Sequence, residues 1–391
     1  MAAPIPVIDA KREPSRVLVD QFLALEASEA SCRGEDPGLI ITLPPSWGNK
    51  YQILLYGAAA RHGYAVAGVV HPENLSLVSW AGPVILHAHW FAGIFNDARS
   101  EGEARSRLHR ACDQILAFRE RTGARLIWTA HNVFPHGNRF PETFLELRRW
   151  TLEHFDAIHV LQESHVPVLE ESYGKTLPNP FTVPHMTYCG TILDSVDPVA
   201  ARAWLGLPSE ARVFGFFGSL QSYKRLDRFL EAFDRLRRDS DRPVAAVIGG
   251  VPGADDTACR LQLDRDLDPD IRLLPRRIQD HEIQYLHRAS DVMVFPYAET
   301  LNSGAALMSA SFRTPFLMPR GLASAPLERL GGILFDPEDP DGLYRAMRSV
   351  VAGTSAPVFD ETALEALKPA RISGMFFEKL QETLNPPREE N

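Results

Sequence analysis

The chain has 391 residues, which is too long for a single hydrophobic core and predicts two domains of about 150–200 residues each. The net charge of -9 excludes nucleic acid as the main partner, because phosphate contacts need a basic surface. The four cysteines are Cys32, Cys112, Cys189 and Cys259. They are far apart and form no CxxC pair, so neither a disulfide framework nor a zinc site is predicted.

The hydropathy pattern gives no sign of membrane insertion or export. No apolar run reaches the roughly 18 residues needed to span a bilayer. The N-terminus lacks a basic segment that leads into a long apolar one, so no secretory signal is predicted. We therefore expect a cytoplasmic protein.

Residues 1–38 are predicted to be an N-terminal extension, and residues 39–185 a first domain in which strands alternate with helices. This alternation predicts an α/β fold with a doubly wound, Rossmann-like parallel sheet. The predicted strands are 39–43, 64–70, 83–86, 125–129 and 157–161, and the predicted helices are 51–61, 105–122, 144–154 and 166–173.

Residues 177–197 lose this pattern and contain several prolines, so we interpret them as the connection to a second domain at 186–370. Its predicted strands are 213–217, 244–248, 271–274, 292–295, 316–318 and 332–335, and its predicted helices are 226–237, 280–288, 303–312 and 339–351. Two sheet domains joined in this way predict a ligand cleft between them. Residues 371–391 carry a last helix that could pack back on the first domain.

The stretch from Asp291 to Pro319 reads as strand, polar loop, helix and strand. Glu299 lies in the loop, and Asn302, Ser303 and Gly304 begin the helix, with Ser303 a good N-cap. Ligands of open parallel sheets bind at the carboxyl ends of the strands, and a helix N-terminus suits a phosphate. An ordinary strand-to-helix connection is the alternative.

A second anion site is predicted where the first strand of the second domain ends. The loop there contains Gly218 and Ser219 and closes on Lys224 and Arg225, just before a helix. A flexible Gly-Ser loop with basic side chains could clamp a diphosphate. The alternative is a solvated basic pair.

Polar and aromatic residues also follow the strands of the first domain. We expect them to meet an acceptor or to line the cleft; they are Trp47, Asn49, His89, Trp90, His131, Asn132 and His185. His87, His89 and His131 could instead form a zinc site, but no nearby carboxylate or Cys completes it. Two DxD sequences, at Asp239 and Asp268, follow no buried strand, so metal binding is not expected there either.

Six segments in order resemble a GT-B nucleotide-sugar glycosyltransferase, a fold with two Rossmann-like domains. They are WGNKYQILLY, ILHAHW, IWTAHNVFPH, VPHMTY, FFGSLQSYKRLDRFLEAF and YAETLNSGAALMSASFRTPFLMP. The chain is similar to glycosyltransferase family four and to bacterial polysaccharide mannosyl- and glucosyltransferases. The resemblance implies a hexosyltransferase in polysaccharide or glycolipid assembly.

The same resemblance implies roles for individual residues. Lys224 would hold the donor diphosphate, and His131 would lie near the transferred sugar. Glu299 would contact the sugar, and Arg277 and Ile278 lie where the base packs.

The sequence departs from the family at two positions. Ser219 stands where an Arg is frequent, so Arg225 could supply that charge. Leu307 stands where a second Glu usually holds the ribose, so ribose recognition must differ. We expect the Leu307 side chain to face the ribose of the donor nucleotide, and the core-facing orientation is the alternative.

The sequence therefore predicts an enzyme that moves a sugar from a GDP- or UDP-linked donor to a glycan, glycolipid or lipid-linked acceptor, without a metal or other cofactor. Arginines between Arg99 and Arg149 could add peripheral contact with the inner face of a membrane, although a solvated helix is favoured. A sugar-nucleotide epimerase and a non-catalytic sugar- or nucleotide-binding protein are the alternatives.

Overall fold

The computed structural model of the protein describes residues 5, 7–8, 37–46, 49–135, 139–253, 268–297 and 300–385. They fall into two compact units, which separate between Met186 and Thr187 and again between Lys368 and Pro369. None of the described helices has an apolar stretch that could span a bilayer.

Seven described strands of the first unit form one parallel sheet. They are β1 (Val7–Ile8), β2 (Gly38–Leu43), β3 (Tyr64–Val69), β4 (Val84–Ala88), β5 (Arg125–Ala130), β6 (Ala157–Val160) and β7 (Pro180–Thr182). Their spatial order is β1-β3-β2-β4-β5-β6-β7. Strands β2, β4 and β6 are buried along their whole length, as expected for a parallel sheet with both faces covered.

The two outermost strands differ from the sequence prediction. Strand β1 lies in residues assigned to an extension, and β7 lies in residues assigned to the connection. Both have only two or three residues. Such short segments show no periodicity, and their pairing with β3 and β6 is decided by the tertiary structure.

The helices of the first unit begin and end at residues with clear local signals. They are α1 (Tyr51–Leu55), α2 (Glu101–Thr122), α3 (Pro141–His154) and α4 (His165–Tyr173). The Ser100 hydroxyl caps α2 by accepting from the Glu103 amide, and Gly123 ends it with a φ of 67°. The helix predicted over 51–61 is shorter, because α1 ends at Leu55 and a 3₁₀ turn follows at Ala59–His62.

One cation of the first unit is buried among aromatic rings. The Arg148 guanidinium lies 4.2 Å from the Trp128 ring centre and 4.5 Å from that of Phe144. Burial lowers the pKa of Arg148 to about 10. Cation–π contacts of this desolvated kind are worth about 2 kcal/mol and offset part of the cost of removing the charge from water.

The second unit contains a second parallel sheet and six described helices. Its helices are α5 (Pro198–Leu205), α6 (Leu226–Asp239), α7 (Ile283–Ala289), α8 (Gly304–Ser311), α9 (Gly342–Ala352) and α10 (Glu361–Ala366). Its strands are β8 (Arg212–Phe217), β9 (Val244–Gly249), β10 (Ile271–Leu274), β11 (Val292–Val294), β12 (Phe316–Pro319) and β13 (Gly332–Phe335).

The spatial order of the second sheet is β10-β9-β8-β11-β12-β13, which places β8 beside both β9 and β11. Helix α6 buries Leu226, Phe229, Phe233 and Leu236 at helical spacing, in one core cluster with residues of β8 and β9. The loops that follow β8, β9 and β11 therefore emerge side by side at one edge.

The last helix, α11 (Pro369–Leu384), belongs to the first unit. The Ser373 hydroxyl donates to the Leu55 carbonyl at 2.6 Å and accepts from the Ala58 amide at 2.8 Å. The Phe376 ring meets the Tyr56 ring at 6.2 Å. The helix thus fixes the segment that carries Tyr56.

Candidate functional site

The carboxyl edge of the first sheet brings together three of the predicted residues. His89 and Trp90 follow β4, and His131 follows the adjacent β5. The Nδ1 of His89 is 3.0 Å from the Nε2 of His131, and the His131 ring stacks on Trp90 with centroids 3.9 Å apart. Parallel pairing of β4 and β5 creates this contact between residues that are far apart in the sequence.

Two tyrosines that the sequence analysis did not select complete the cluster. The Tyr56 hydroxyl is 2.8 Å from both His87 Nδ1 and His89 Nε2. The Tyr51 ring lies 4.9 Å from the rings of His131 and His185. Both tyrosines lie in the segment that follows β2 and its loop. That position was the sequence signal for them, because ligands of parallel sheets bind at this edge.

Burial keeps these histidines uncharged. It lowers the pKa values of His87, His89 and His131 well below the usual range, and neighbouring histidines lower them further. Burial also lowers the pKa of His185 to about 4. The cluster therefore presents neutral imidazoles at neutral pH.

The ring nitrogens of the cluster are engaged with one another and with hydroxyl groups. Across the described ranges, no group of three or more His, Cys, Asp or Glu side chains is arranged to hold a metal ion. The arrangement favours hydrogen bonding to polar ligands.

The other predicted residues of the first unit are less well tied to this cluster. Asn49 is exposed, and its side-chain carbonyl accepts from the Tyr51 amide at 3.0 Å. Asn132 is half-buried next to His131. The Nδ1 of His185 lies 2.7 Å from the Met186 carbonyl. Trp47 lies outside the described residues.

Three arginines of α2, Arg105, Arg107 and Arg119, pair with carboxylates. Arg105 binds Glu146 at 2.9 Å, and Arg107 binds Glu103 at 2.6 Å. These pairs neutralise much of the basic face on which membrane contact would depend. Peripheral membrane contact stays a prediction.

In the second unit, Lys224 and the start of α8 meet through Tyr297. The Lys224 ammonium lies 3.7 Å from the centre of the Tyr297 ring. The Tyr297 hydroxyl is 2.8 Å from the Ser303 hydroxyl, which also caps α8 by accepting from the Ala306 amide at 3.2 Å. The two segments for which the sequence predicts anion binding therefore lie together, and Tyr297 is the link that the sequence analysis missed.

Burial lowers the pKa of Lys224 below its ordinary value, and Tyr223 opposes that shift. The Tyr297 pKa is raised to about 12 by burial. Lys224 is thus a partly desolvated cation held against an un-ionised phenol. An anion that approached this site would find the positive end of a helix and a poorly hydrated ammonium.

A close approach of two glycines holds the loop that carries Lys224. Gly218 has a φ of 153°, and its amide donates to the Gly249 carbonyl at 3.1 Å. A Cβ on Gly250 would lie 1.5 Å from the Gly218 carbonyl oxygen. Gly250 therefore positions the loop. Its signal in the sequence is the Gly-Gly pair at the end of a predicted strand.

Arg225 and Ser219 have different surroundings. Arg225 has a φ of 53°, a strained value for a residue with a side chain, and its guanidinium pairs with Asp227 at 3.1 Å. Ser219 is half-buried in the same loop. Lys224 is therefore the better-placed cation of the pair.

The other residues that the sequence predicts to bind the nucleotide-sugar donor lie on neighbouring loops. Ile278 is buried against Gly249, whereas Arg277 is exposed. The backbone carbonyl of Asn302 accepts a hydrogen bond from the Thr300 hydroxyl. Glu299 lies outside the described residues, so its sugar contact stays a prediction.

Both DxD sequences are engaged in structural contacts. Arg237 pairs with Asp268 at 2.8 Å and with Asp270 at 3.2 Å. The Tyr344 hydroxyl donates to Asp239 at 2.8 Å. These partners engage three of the four carboxylates.

Residues 211–352, which hold this site, match the family described as Glycosyl transferases group 1. We name these residues the group 1 domain. Two proteins named D-inositol 3-phosphate glycosyltransferase are similar to the chain. That of Corynebacterium urealyticum is 31% identical over 160 residues, which are 39% of this chain and 38% of that protein. That of Stackebrandtia nassauensis is 30% identical over 258 residues, which are 61% of this chain and 57% of that protein.

Solved structures resemble the chain over most of its length. Sucrose-phosphate synthase of Thermosynechococcus elongatus has a TM-score of 0.63 at 14% identity and covers 90% of this chain and 100% of its own. HepE of Anabaena in complex with UDP-glucose has a TM-score of 0.65 at 13% identity and covers 88% of this chain and 99% of its own. The fold predicted from the sequence, GT-B, is confirmed.

We expect Gly250→Ala to displace the Lys224 loop of the group 1 domain. The new methyl group would overlap the Gly218 carbonyl, and overpacking of this kind costs about 1–3 kcal/mol. A thermal melt should show the loss. Gly321→Ala is the control, because nothing lies within 4 Å of its Cβ position. Equal melting temperatures for both variants would contradict the close approach.

The Leu307 side chain is only 4% exposed, which favours the core-facing alternative over the ribose-facing orientation expected from the sequence. Leu307→Glu would bury an unpaired carboxylate and should destabilise the group 1 domain by several kcal/mol. Leu307→Met, which conserves volume, should cost less than about 1.5 kcal/mol. A stable Leu307→Glu protein with tighter nucleotide binding would instead assign Leu307 to the ribose.

Proposed function

We propose that the chain is a glycosyltransferase that moves a sugar from a UDP- or GDP-linked donor to a hydroxyl group of a glycan, glycolipid or lipid-linked acceptor. One observation carries the proposal: Lys224, Tyr297 and the start of α8 converge at the carboxyl edge of the second sheet. That edge is where open parallel sheets bind ligands.

The chemistry of transfer explains why such a site is needed. The bond between the anomeric carbon and the diphosphate oxygen breaks, the acceptor oxygen bonds to that carbon, and the acceptor's proton passes to water or to the departing diphosphate. Negative charge therefore develops on the leaving diphosphate. The Lys224 ammonium and the first amides of α8 are fixed in place to receive it.

In this proposal the positive groups of the protein do the work that a divalent cation does in other transferases. The Lys224 charge is already partly desolvated, so its contact with a phosphate oxygen gains more energy than a contact in bulk water. The amides of Gly304 and Ala305 open α8 and have no carbonyl partner within the helix. Together they supply a charge and directed donors.

The related proteins support a nucleotide-sugar donor. Homologues carry the name D-inositol 3-phosphate glycosyltransferase, and similar folds have been solved with UDP and with UDP-glucose. We assign the nucleotide to the second unit and the acceptor to the first, whose neutral histidines and Trp90 suit a hydroxyl-bearing ring.

The proposal is tested by measuring binding of UDP, GDP, ADP and TDP to the wild-type chain and to Lys224→Ala. We expect at least one diphosphate to raise the melting temperature. Lys224→Ala should lose about 1.5–3 kcal/mol of binding free energy for it, because a charge-assisted contact is removed. Arg225→Ala is the control, since its guanidinium already pairs with Asp227.

Unchanged affinity in Lys224→Ala, or no response to any nucleotide, would contradict the proposal. A transferase should release the nucleoside diphosphate faster when acceptor is present. An epimerase would instead convert the donor alone, and a binding protein would do neither.

Diphosphate binding should also weaken as the pH rises. The pKa of Lys224 is lowered by burial, so its ammonium is lost at a lower pH than that of an exposed lysine. The dissociation constant should therefore increase as the pH rises toward the ordinary lysine pKa of about 10.4. Lys224→Arg stays charged in this range and should remove that increase. A wild-type dependence identical to that of Lys224→Arg would show that Lys224 does not meet the phosphate.

A further inference from the structure

Four buried histidines of the first unit, His87, His89, His131 and His159, belong to one continuous series of hydrogen bonds, which we name the histidine relay. It begins at the Val183 carbonyl, which lies 2.9 Å from His159 Nε2. The His159 Nδ1 is 3.0 Å from the Thr129 hydroxyl, and that hydroxyl is 2.7 Å from His87 Nε2. Strands β4, β5 and β6 thus each contribute one member.

The relay continues through a tyrosine to the edge of the sheet. The Tyr56 hydroxyl joins His87 Nδ1 to His89 Nε2, at 2.8 Å from each. The His89 Nδ1 then meets His131 Nε2 at 3.0 Å. His87 and His89 are each 1% exposed and His131 is 6% exposed, so bulk water does not compete for these bonds.

The first bond fixes the proton of the first imidazole. A carbonyl oxygen only accepts, so the His159 Nε2 must carry a proton and donate it to Val183. Burial lowers the pKa of His159 to about 4, so the ring is neutral and its Nδ1 is a lone pair. Thr129 must then donate its single proton to that Nδ1.

Each later bond follows from the one before it. The Thr129 oxygen can only accept from His87, so His87 carries its proton on Nε2 and a lone pair on Nδ1. The Tyr56 hydroxyl donates to that lone pair and accepts from the Nε2 proton of His89. The His89 Nδ1 is left as a lone pair, which accepts from His131 Nε2.

We propose that the histidine relay fixes His131 in the tautomer with its proton on Nε2, so that its Nδ1 can only accept a hydrogen bond. Val183, His159, Thr129, His87, Tyr56 and His89 are positioning residues in this scheme. Reversing the relay would place a lone pair of His159 against the Val183 carbonyl, which removes one hydrogen bond and adds a repulsion.

Because the His131 Nδ1 can only accept a hydrogen bond, the tautomer limits which ligand groups can pair with it. A hydroxyl group can donate to Nδ1, whereas a phosphate or carboxylate oxygen meets a second lone pair and no positive charge. Resting on the proposed function, any ligand group that meets this Nδ1 must be a donor such as a sugar hydroxyl, and not an oxygen of the donor diphosphate.

The tautomer can be read without any substrate. In the full chain with ¹⁵N-labelled histidine, long-range ¹H–¹⁵N correlation spectra show which ring nitrogen carries the proton. The chain has 13 histidines, and His131→Gln identifies the signal of interest. We expect wild-type His131 to show one tautomer, with the proton on Nε2.

His159→Phe separates the relay from simple packing. Phenylalanine keeps the stacking that His159 makes on Phe181, at 5.2 Å and 14°. Thr129 is then released to donate to His87, and both directions of the relay keep the same number of bonds. The His131 Nδ1 signal should move toward that of a protonated nitrogen. Thr129→Val interrupts the relay at the next bond and serves if His159→Phe does not fold.

The matched control is His62→Phe, because His62 stacks on Phe377 at 5.2 Å and 16° and lies outside the relay. It should leave the His131 signals unchanged. A wild-type His131 with its proton on Nδ1, or a folded His159→Phe with unchanged His131 signals, would overturn the proposal. Because these spectra need no donor, they test the relay even if the chain transfers no sugar.

Discussion

Parallel pairing of the strands is the constraint on which both candidate sites depend. Every strand of a parallel sheet ends at the same edge, so residues that follow separate strands become neighbours. In the first unit this rule places His89 beside His131. In the second it places the loop after β8 beside the loops after β9 and β11, and a side-chain contact from Lys224 to Tyr297 completes the site.

The two units differ in electrostatic character at these edges. The first buries a cluster of histidines, and desolvation keeps them neutral, so the cluster offers hydrogen bonds without charge. The second presents an ammonium and the positive end of a helix, with burial limiting the water around the ammonium. In the proposed transfer both kinds of site are used, because the acceptor reacts through a neutral hydroxyl group and the leaving group is an anion.

Rigid backbone supports the reactive side chains in each unit. The contact between Gly218 and Gly250 leaves no space for a side chain, which fixes the start of the Lys224 loop. Ser373 of α11 holds the segment between Leu55 and Ala58 through two hydrogen bonds and so holds Tyr56 against the histidines. Preorganised polar groups of this kind need little rearrangement when charge develops.

The sequence by itself determined the alternation of strands and helices, the strand that leads into His131, the loop that closes on Lys224, and the cap at Ser303. These signals are local, because periodicity, glycine and capping residues act over a few positions. Only the tertiary structure decided that Tyr297 joins Lys224 to Ser303, that Gly250 supports Gly218, and that His159 and His131 belong to one series of hydrogen bonds. Those contacts depend on which strands are neighbours and on how their registers align, and both are set by packing between residues far apart in the chain.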